Sequence, residues 1–364
     1  MGSFLSGIFS RTYFGLGFLA LENIAFNINR VEEKTHSEDM KADDSNVSDE
    51  TKSDIEDVTE DAEEHPDSET SDVEQKLAIS NYWKDGKYHV TNEDGLKAAF
   101  NHANTTANIS VILDNNITVS SSALDSNRGK VTIDGGYIDV NGNVQRRTII
   151  ISGTNSSGGS SYFRTFQHMI AASNGGMVAL MNLTIDANNM YPSPAGNAVV
   201  TAFGGTITTN NCLFKNVNSG GIGGINAIEA RSGTLVVKNT TITDSKATGG
   251  VCAWQGINNV TCENVNVNSG MESIGIAVAK QGAQMGNSVG VIKDCIVTGT
   301  NKGIHISDDN TSVAGSSTAT IQGTTVSGCT IGVNVNNNTA SVVLSNSNVS
   351  EGNIYSNIYL LVLE

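Results

Sequence analysis

The segment Gly303-Ile-His305-Ile-Ser-Asp308-Asp309-Asn310 gathers groups that can move protons. A His with two carboxylates on an adjacent strand and turn suits acid–base work, one group taking a proton while another gives one. The same residues suit a plainer arrangement, in which Asp308-Asp309-Asn310 is a turn and His305 a surface strand residue. Asp134, Asp186 and Asp294 occur singly, each at an expected turn, and fit turn chemistry. A second group suits binding. Tyr162 and Arg164 fall on a Gly/Ser-rich insertion, residues 152–168, and Tyr191 on another, residues 186–197. Trp254 lies in Val251-Cys-Ala-Trp-Gln255. Aromatic faces stack on sugar rings, Arg pairs with carboxylates, and loops on a rigid scaffold are where recognition usually sits. Packing of Phe163, Phe166 and Trp254 against the scaffold is the competing role for those rings.

What must position these groups is a repeat. Asn or Asp, two residues, then an aliphatic residue or Phe returns about every 27 residues. The copies begin at Asn182, Asn211, Asn239, Asn264 and Asp294, with looser ones at Gly323 and Asn346. Their apolar anchors are Ile185, Phe214, Ile242, Val267, Val297, Val326 and Val349. So even a period means stacked supersecondary units. Each unit holds three short runs alternating apolar and polar residues, separated by Gly- and Asn-rich turn clusters. One run is Gly275-Ile-Ala-Val278, Gly303-Ile-His-Ile306 or Gly332-Val-Asn-Val335. Such a rung is too short for a helix pair. It predicts a coil of parallel strands, each pairing with its equivalent one rung on, about 4.8 Å away. Asn is depleted in strands, so its recurrence at one phase marks a corner needing left-handed backbone, where stacked amides can hydrogen-bond along the axis.

Val90-Thr-Asn-Glu-Asp-Gly-Leu-Lys-Ala-Ala-Phe-Asn-His-Ala103 reads as a short amphipathic helix. Asn92 or Thr91 can cap it, acids fill its first turn, and Leu96, Ala99, Phe100 and Ala103 share a face. Strand candidates Ile109–Val119 and Val131-Thr-Ile-Asp-Gly-Gly136 follow. In this opening and its rungs, residues 88–361 resemble the right-handed parallel β-helix, or pectate-lyase-like, superfamily, most closely the pectate-lyase-like adhesive domains of bacterial surface proteins. The resemblance implies an all-β, right-handed single-stranded parallel β-helix with a short N-terminal capping helix. Enzymes of that superfamily act on acidic polysaccharides, with Ca²⁺ at lyase sites and paired carboxylates at hydrolase sites. Their Asn-Thr-Asp, Gly-His-Gly, Asp-Pro-His-Glu and Arg-x-Pro motifs do not occur here.

The charge is confined to one segment. Residues 32–75 hold 19 acids and 3 Lys, which accounts for the whole net charge of −16. With almost no large apolar residues, that stretch is expected to be a disordered linker. A neutral remainder offers no basic stripe for phosphates, which argues against nucleic acid as a partner. Residues 1–31 are apolar and aromatic, but Glu22 interrupts them short of a membrane span, leaving a signal-like segment or an amphipathic helix. The domain reading is therefore 1–31, 32–76 and 77–364. Five Cys at 212, 252, 262, 295 and 329 show no metal-binding spacing. Cys212 and Cys295 share a phase but lie three rungs apart, about 14 Å, too far for a disulfide. Free, buried thiols are expected. The apolar run Ile354–Leu363 folds back as a cap, belongs to a longer chain, or pairs with another copy through the last rung.

The function expected is a secreted or cell-surface adhesion module that binds a polysaccharide or glycoconjugate without chemistry, through Tyr162, Arg164, Tyr191 and Trp254, with no cofactor or metal. The alternatives are a polysaccharide lyase, hydrolase or epimerase working through His305, Asp308 and Asp309, with Ca²⁺ only in the lyase case, and a phage tail-spike-like structural coil.

Overall fold

The computed structural model describes residues 81–106, 108–120, 123–152, 168–189, 197–218, 225–268, 274–281, 285–308, 314–337, 339–350, 353–356 and 361–363. All of them belong to one compact unit, Glu74–Glu364. The apolar and acidic N-terminal segments, residues 1–76, lie outside the described residues.

The unit is a parallel β-helix. Each rung lays down three strands, and equivalent strands stack into three ladders. The first ladder runs from Asn108–Leu113 through Thr206–Asn210 to Ala340–Ser345 and Leu361–Leu363. The second runs from Ile117–Val119 to Asn348–Val349. These two merge into one 20-stranded sheet because Thr234–Thr243 and Asn259–Val267 pass unbroken through the corner between them. The third ladder is a separate nine-stranded sheet, from Leu124–Ser126 to Asn353–Ser356. Among the described strands the pairings are parallel, except in the hairpins Tyr82–Lys84 with Lys87–Val90 and Gly136–Ile138 with Val144–Ile151. Crossovers between parallel strands of one sheet are right-handed in about 98% of cases, the hand expected above.

The repeat fixes the register. Ile185 pairs with Phe214, Phe214 with Ile242, Ile242 with Val267, Val267 with Val297, Val297 with Val326 and Val326 with Val349. Among the described side chains of this stack, Ile185, Phe214, Ile242, Val267 and Val297 are fully buried. Burying each contributes roughly 1.5–3 kcal/mol before ordering costs. The corner before each anchor is left-handed at Asn182, Asn211, Asn239, Asn264, Asp294, Gly323 and Asn346. Asn and Asp tolerate that backbone and Gly adopts it without strain. The corner amides also chain along the axis. Asn211 Nδ2 donates to Asn182 Oδ1 at 2.8 Å, and Asn264 Nδ2 to Asn239 Oδ1 at 2.8 Å. Asn239 Nδ2 turns instead to Asn210 Oδ1, also at 2.8 Å.

The helix Glu93–Thr106 closes the first rungs. Asn92 Oδ1 caps it by accepting the Gly95 N–H at 3.0 Å, and Glu93 and Asp94 face the positive end of its dipole. Leu96, Ala99, Phe100 and Ala103 join the coil's own core. Glu93 Oε1 accepts the Ser120 N–H, and Asn104 Nδ2 donates to the Asp125 carbonyl, which fastens the helix to the strands below.

All five Cys are free and buried. Burial pushes the Cys212 and Cys295 thiols up to about 11, and those of Cys252 and Cys262 well above the usual range. At pH 8 a thiol at about 11 carries roughly two hundred times less thiolate than a free one. The folded protein is therefore expected to leave all five unlabelled by iodoacetamide at that pH, and the denatured chain to take up five equivalents. Rapid labelling of any one thiol in the folded protein would contradict this packing.

Candidate functional site

The third ladder carries the densest polar chemistry, and a local break in strand alternation puts it there. In Ile225–Arg231 both Ala227 and Ile228 belong to the core, so two successive residues point inward. Asn226 and Glu229, three apart, then share the outer side, where Asn226 Nδ2 donates to Glu229 Oε2 at 3.0 Å. The same break recurs down the ladder, where pairings skip the residue after the first partner, as in Ile274 to Lys302 and then Ile276 to Ile304. Gly275 and Gly303 occupy the skipped place. A Cβ there would come within 2.3 Å of the anchors Val297 and Val326, so the anchor stack requires glycine opposite it.

An open pocket of about 170 Å³ lies on this outer side across three rungs. Asn226, Glu229 and Arg231 supply one wall, Trp254 and Gln255 the next rung, and Gln281 the third, with Thr248 at the margin. Glu229 is almost fully buried, and its Oε1 accepts a hydrogen bond from Arg231 Nε in an ion pair. The Arg231 guanidinium also lies 5.8 Å from the centre of the half-exposed Phe203 ring. Trp254 packs on a small apolar cluster of Cys252, Ile274 and Ala277, separate from the main core. A register shift follows at once, so that Gln255 meets Gln281. Bulges of this kind re-aim side chains beside sites. Cys252 pairs with Glu229 across the rung, and the carboxylate adds to burial in raising its thiol. Two rungs before Asn226, burial pushes the His168 imidazole below its usual value. Asp125 pulls it up and Arg231 pushes it further down.

Of the alternative acid–base group, His305 and Asp308 are described, and they are not brought together. His305 is buried on the outer side, its Nδ1 2.7 Å from Asn334 Nδ2 and its ring 6.2 Å from Trp254. It is not a surface strand residue. Asp308 is not a turn residue either. It ends the strand Lys302–Asp308 on the core side, fully buried, with Lys280 Nζ at 3.2 Å and 3.3 Å from its two oxygens. Thr339 Oγ1 also donates to its carboxylate. His305 and Asp308 thus face opposite sides of one strand. Asp309, Tyr162, Arg164 and Tyr191 lie outside the described residues, so of the expected sugar contacts Trp254 alone is placed, and it lines the pocket. Asp134 and Asp186 do serve turns, accepting the Gly136 and Asn188 N–H groups at 2.9 Å and 2.8 Å. Sequence reading passed over Asn226, Glu229 and Arg231. The signal available was an amide, an acid and a base interrupting the apolar residues of Ile225-Asn-Ala-Ile-Glu-Ala-Arg231.

Among the described residues no three His, Cys, Asp or Glu side chains are grouped to hold a metal ion. No family model matches the chain, and no curated protein matches it.

Proposed function

We propose that this chain is a non-catalytic glycan-binding module of an extracellular or cell-surface protein, with its site in the outer pocket of the third ladder. The supporting observation is Trp254 beside the buried Glu229–Arg231 pair: an apolar ring face next to fixed polar groups is the composition of a sugar site. A glycosidase needs two carboxyl groups about 5–9.5 Å apart. The other described carboxylate on the outer row is Asp125, three rungs from Glu229, or about 14 Å. The capping helix, the rungs and the resemblance to pectate-lyase-like adhesive domains fit the same reading. The test is a glycan-array screen of the parent and Trp254→Ala, run beside product assays on pectate, alginate and hyaluronan. Trp254→Ala is expected to weaken binding about fivefold, the loss of roughly 1 kcal/mol of ring contact. Products from any of the three polymers that vanish in Glu229→Gln would replace this reading with an enzyme.

A further inference from the structure

Resting on that reading, we propose that the site takes an interior stretch of a glycan chain laid along the coil axis, with Phe203 as a second ring-stacking subsite beyond the pocket. Phe203 is 46% exposed and lies one rung before the pocket, paired in register with Arg231 of its wall. The pairing of Ala230 with Ala253, and the hydrogen bond from the Ser232 N–H to the Gln255 carbonyl, set Trp254 one rung beyond Arg231. Phe203, Arg231 and Trp254 therefore follow one another on three successive rungs at the same end of the third ladder. The row reads aromatic ring, guanidinium, aromatic ring. The Arg231 guanidinium lies 5.8 Å from the centre of the Phe203 ring and is tied to Glu229. A single exposed ring needs no explanation by itself. This one is set apart by its place in that row and by Gly204 and Gly205 after it, which bring no side chain over its face.

Spacing decides the size of the ligand. Successive rungs are about 4.8 Å apart, so Phe203 and Trp254 stand about 10 Å apart along the axis. One pyranose cannot cover both. A chain of sugars can set one unit on Phe203, pass over Arg231 and set another on Trp254. Each aromatic face then meets the C–H face of a sugar. A site of this length selects the linkage as well as the ring, because successive units must keep a flat face toward the coil. A lone monosaccharide reaches one ring only.

The experiment is calorimetric titration of the full chain with di- to hexasaccharides of the cello-, xylo-, manno- and chito-oligosaccharide series and of oligogalacturonate. In the series that binds, affinity is expected to rise about fivefold or more from disaccharide to hexasaccharide, the contribution of a second stacked ring. Phe203→Ala and Phe203→Leu should each remove that gain, so that the hexasaccharide binds no better than the disaccharide. Phe203→Trp should keep it, and Trp254→Ala should weaken binding at every length. Melting curves establish that the variants are folded. If affinity does not rise with length, or if a folded Phe203→Ala keeps the gain, the proposal is overturned while the glycan-binding reading stands. If no carbohydrate of any length binds, the reading itself fails and takes the proposal with it.

Discussion

Replacing Asp308 by Ala is expected to cost about 3–5 kcal/mol of folding stability, the usual penalty for leaving one partner of a buried ion pair alone. Lys280 and Asp308 are both fully buried, one rung apart in direct register. The Lys280 ammonium would remain on the core side with its carboxylate gone. Thr339 Oγ1 would lose its acceptor as well. The double variant Lys280→Met with Asp308→Leu removes both charges and keeps the volume, so it should lie close to the parent or above it. Urea titration of the three proteins measures this, with the midpoint of the single variant well below the other two. The result also bears on function. If Asp308 were half of an acid–base site on the outer face, its loss would leave stability nearly unchanged and alter only what happens to a bound sugar. A single variant within about 1 kcal/mol of the parent would mean that the pair is hydrated and that its role has been misread.

The fold was readable in advance because its information is periodic. The left-handed corners at Asn182, Asn211, Asn239, Asn264 and Asp294 and the anchors three residues after them recur in the sequence at the spacing with which they pair in space. A one-residue slip would break both at once, so local and long-range preferences agree. The site was not readable for a related reason. A period of two assigns Asn226 and Glu229 to opposite faces, but the break at Ala227 and Ile228 puts them on one. Likewise Gly303-Ile-His-Ile306 looks like plain alternation, while Gly303 is there to clear Val326. Counting two residues on from Ile306 does place Asp308 inside. Nothing near it in the sequence announces its partner, because Lys280 comes from the preceding rung. Trp254 was singled out for its chemistry, yet its place beside Gln255 and Gln281 depends on a register shift that no pattern announces.

The other large effect expected is from Ile242→Asp. Ile242 is fully buried, with Phe214 one rung before it and Val267 one rung after. Its replacement loses the methyl packing and puts a carboxyl where neither neighbour can pair with it. The cost should be more than about 4 kcal/mol near neutral pH, against about 0.5–1.5 kcal/mol for Ile242→Val at the same place. The two losses separate by their pH dependence. Burial in an apolar stack raises the folded-state pKa of the new carboxyl above its unfolded value near 3.9, so the folded variant holds a proton that the unfolded chain releases. The penalty must then grow as pH rises from about 4 toward that raised pKa, and the gap between variant and parent should narrow as pH is lowered toward 4. Ile242→Val has no such dependence. Because each rung touches only its neighbours, a weakened contact at Ile242 also divides the coil, and unfolding should lose its single sharp transition. Circular dichroism melts of both variants across that pH range test the claim. A cost for Ile242→Asp no larger than that of Ile242→Val, or one independent of pH, would place residue 242 outside the stacked core.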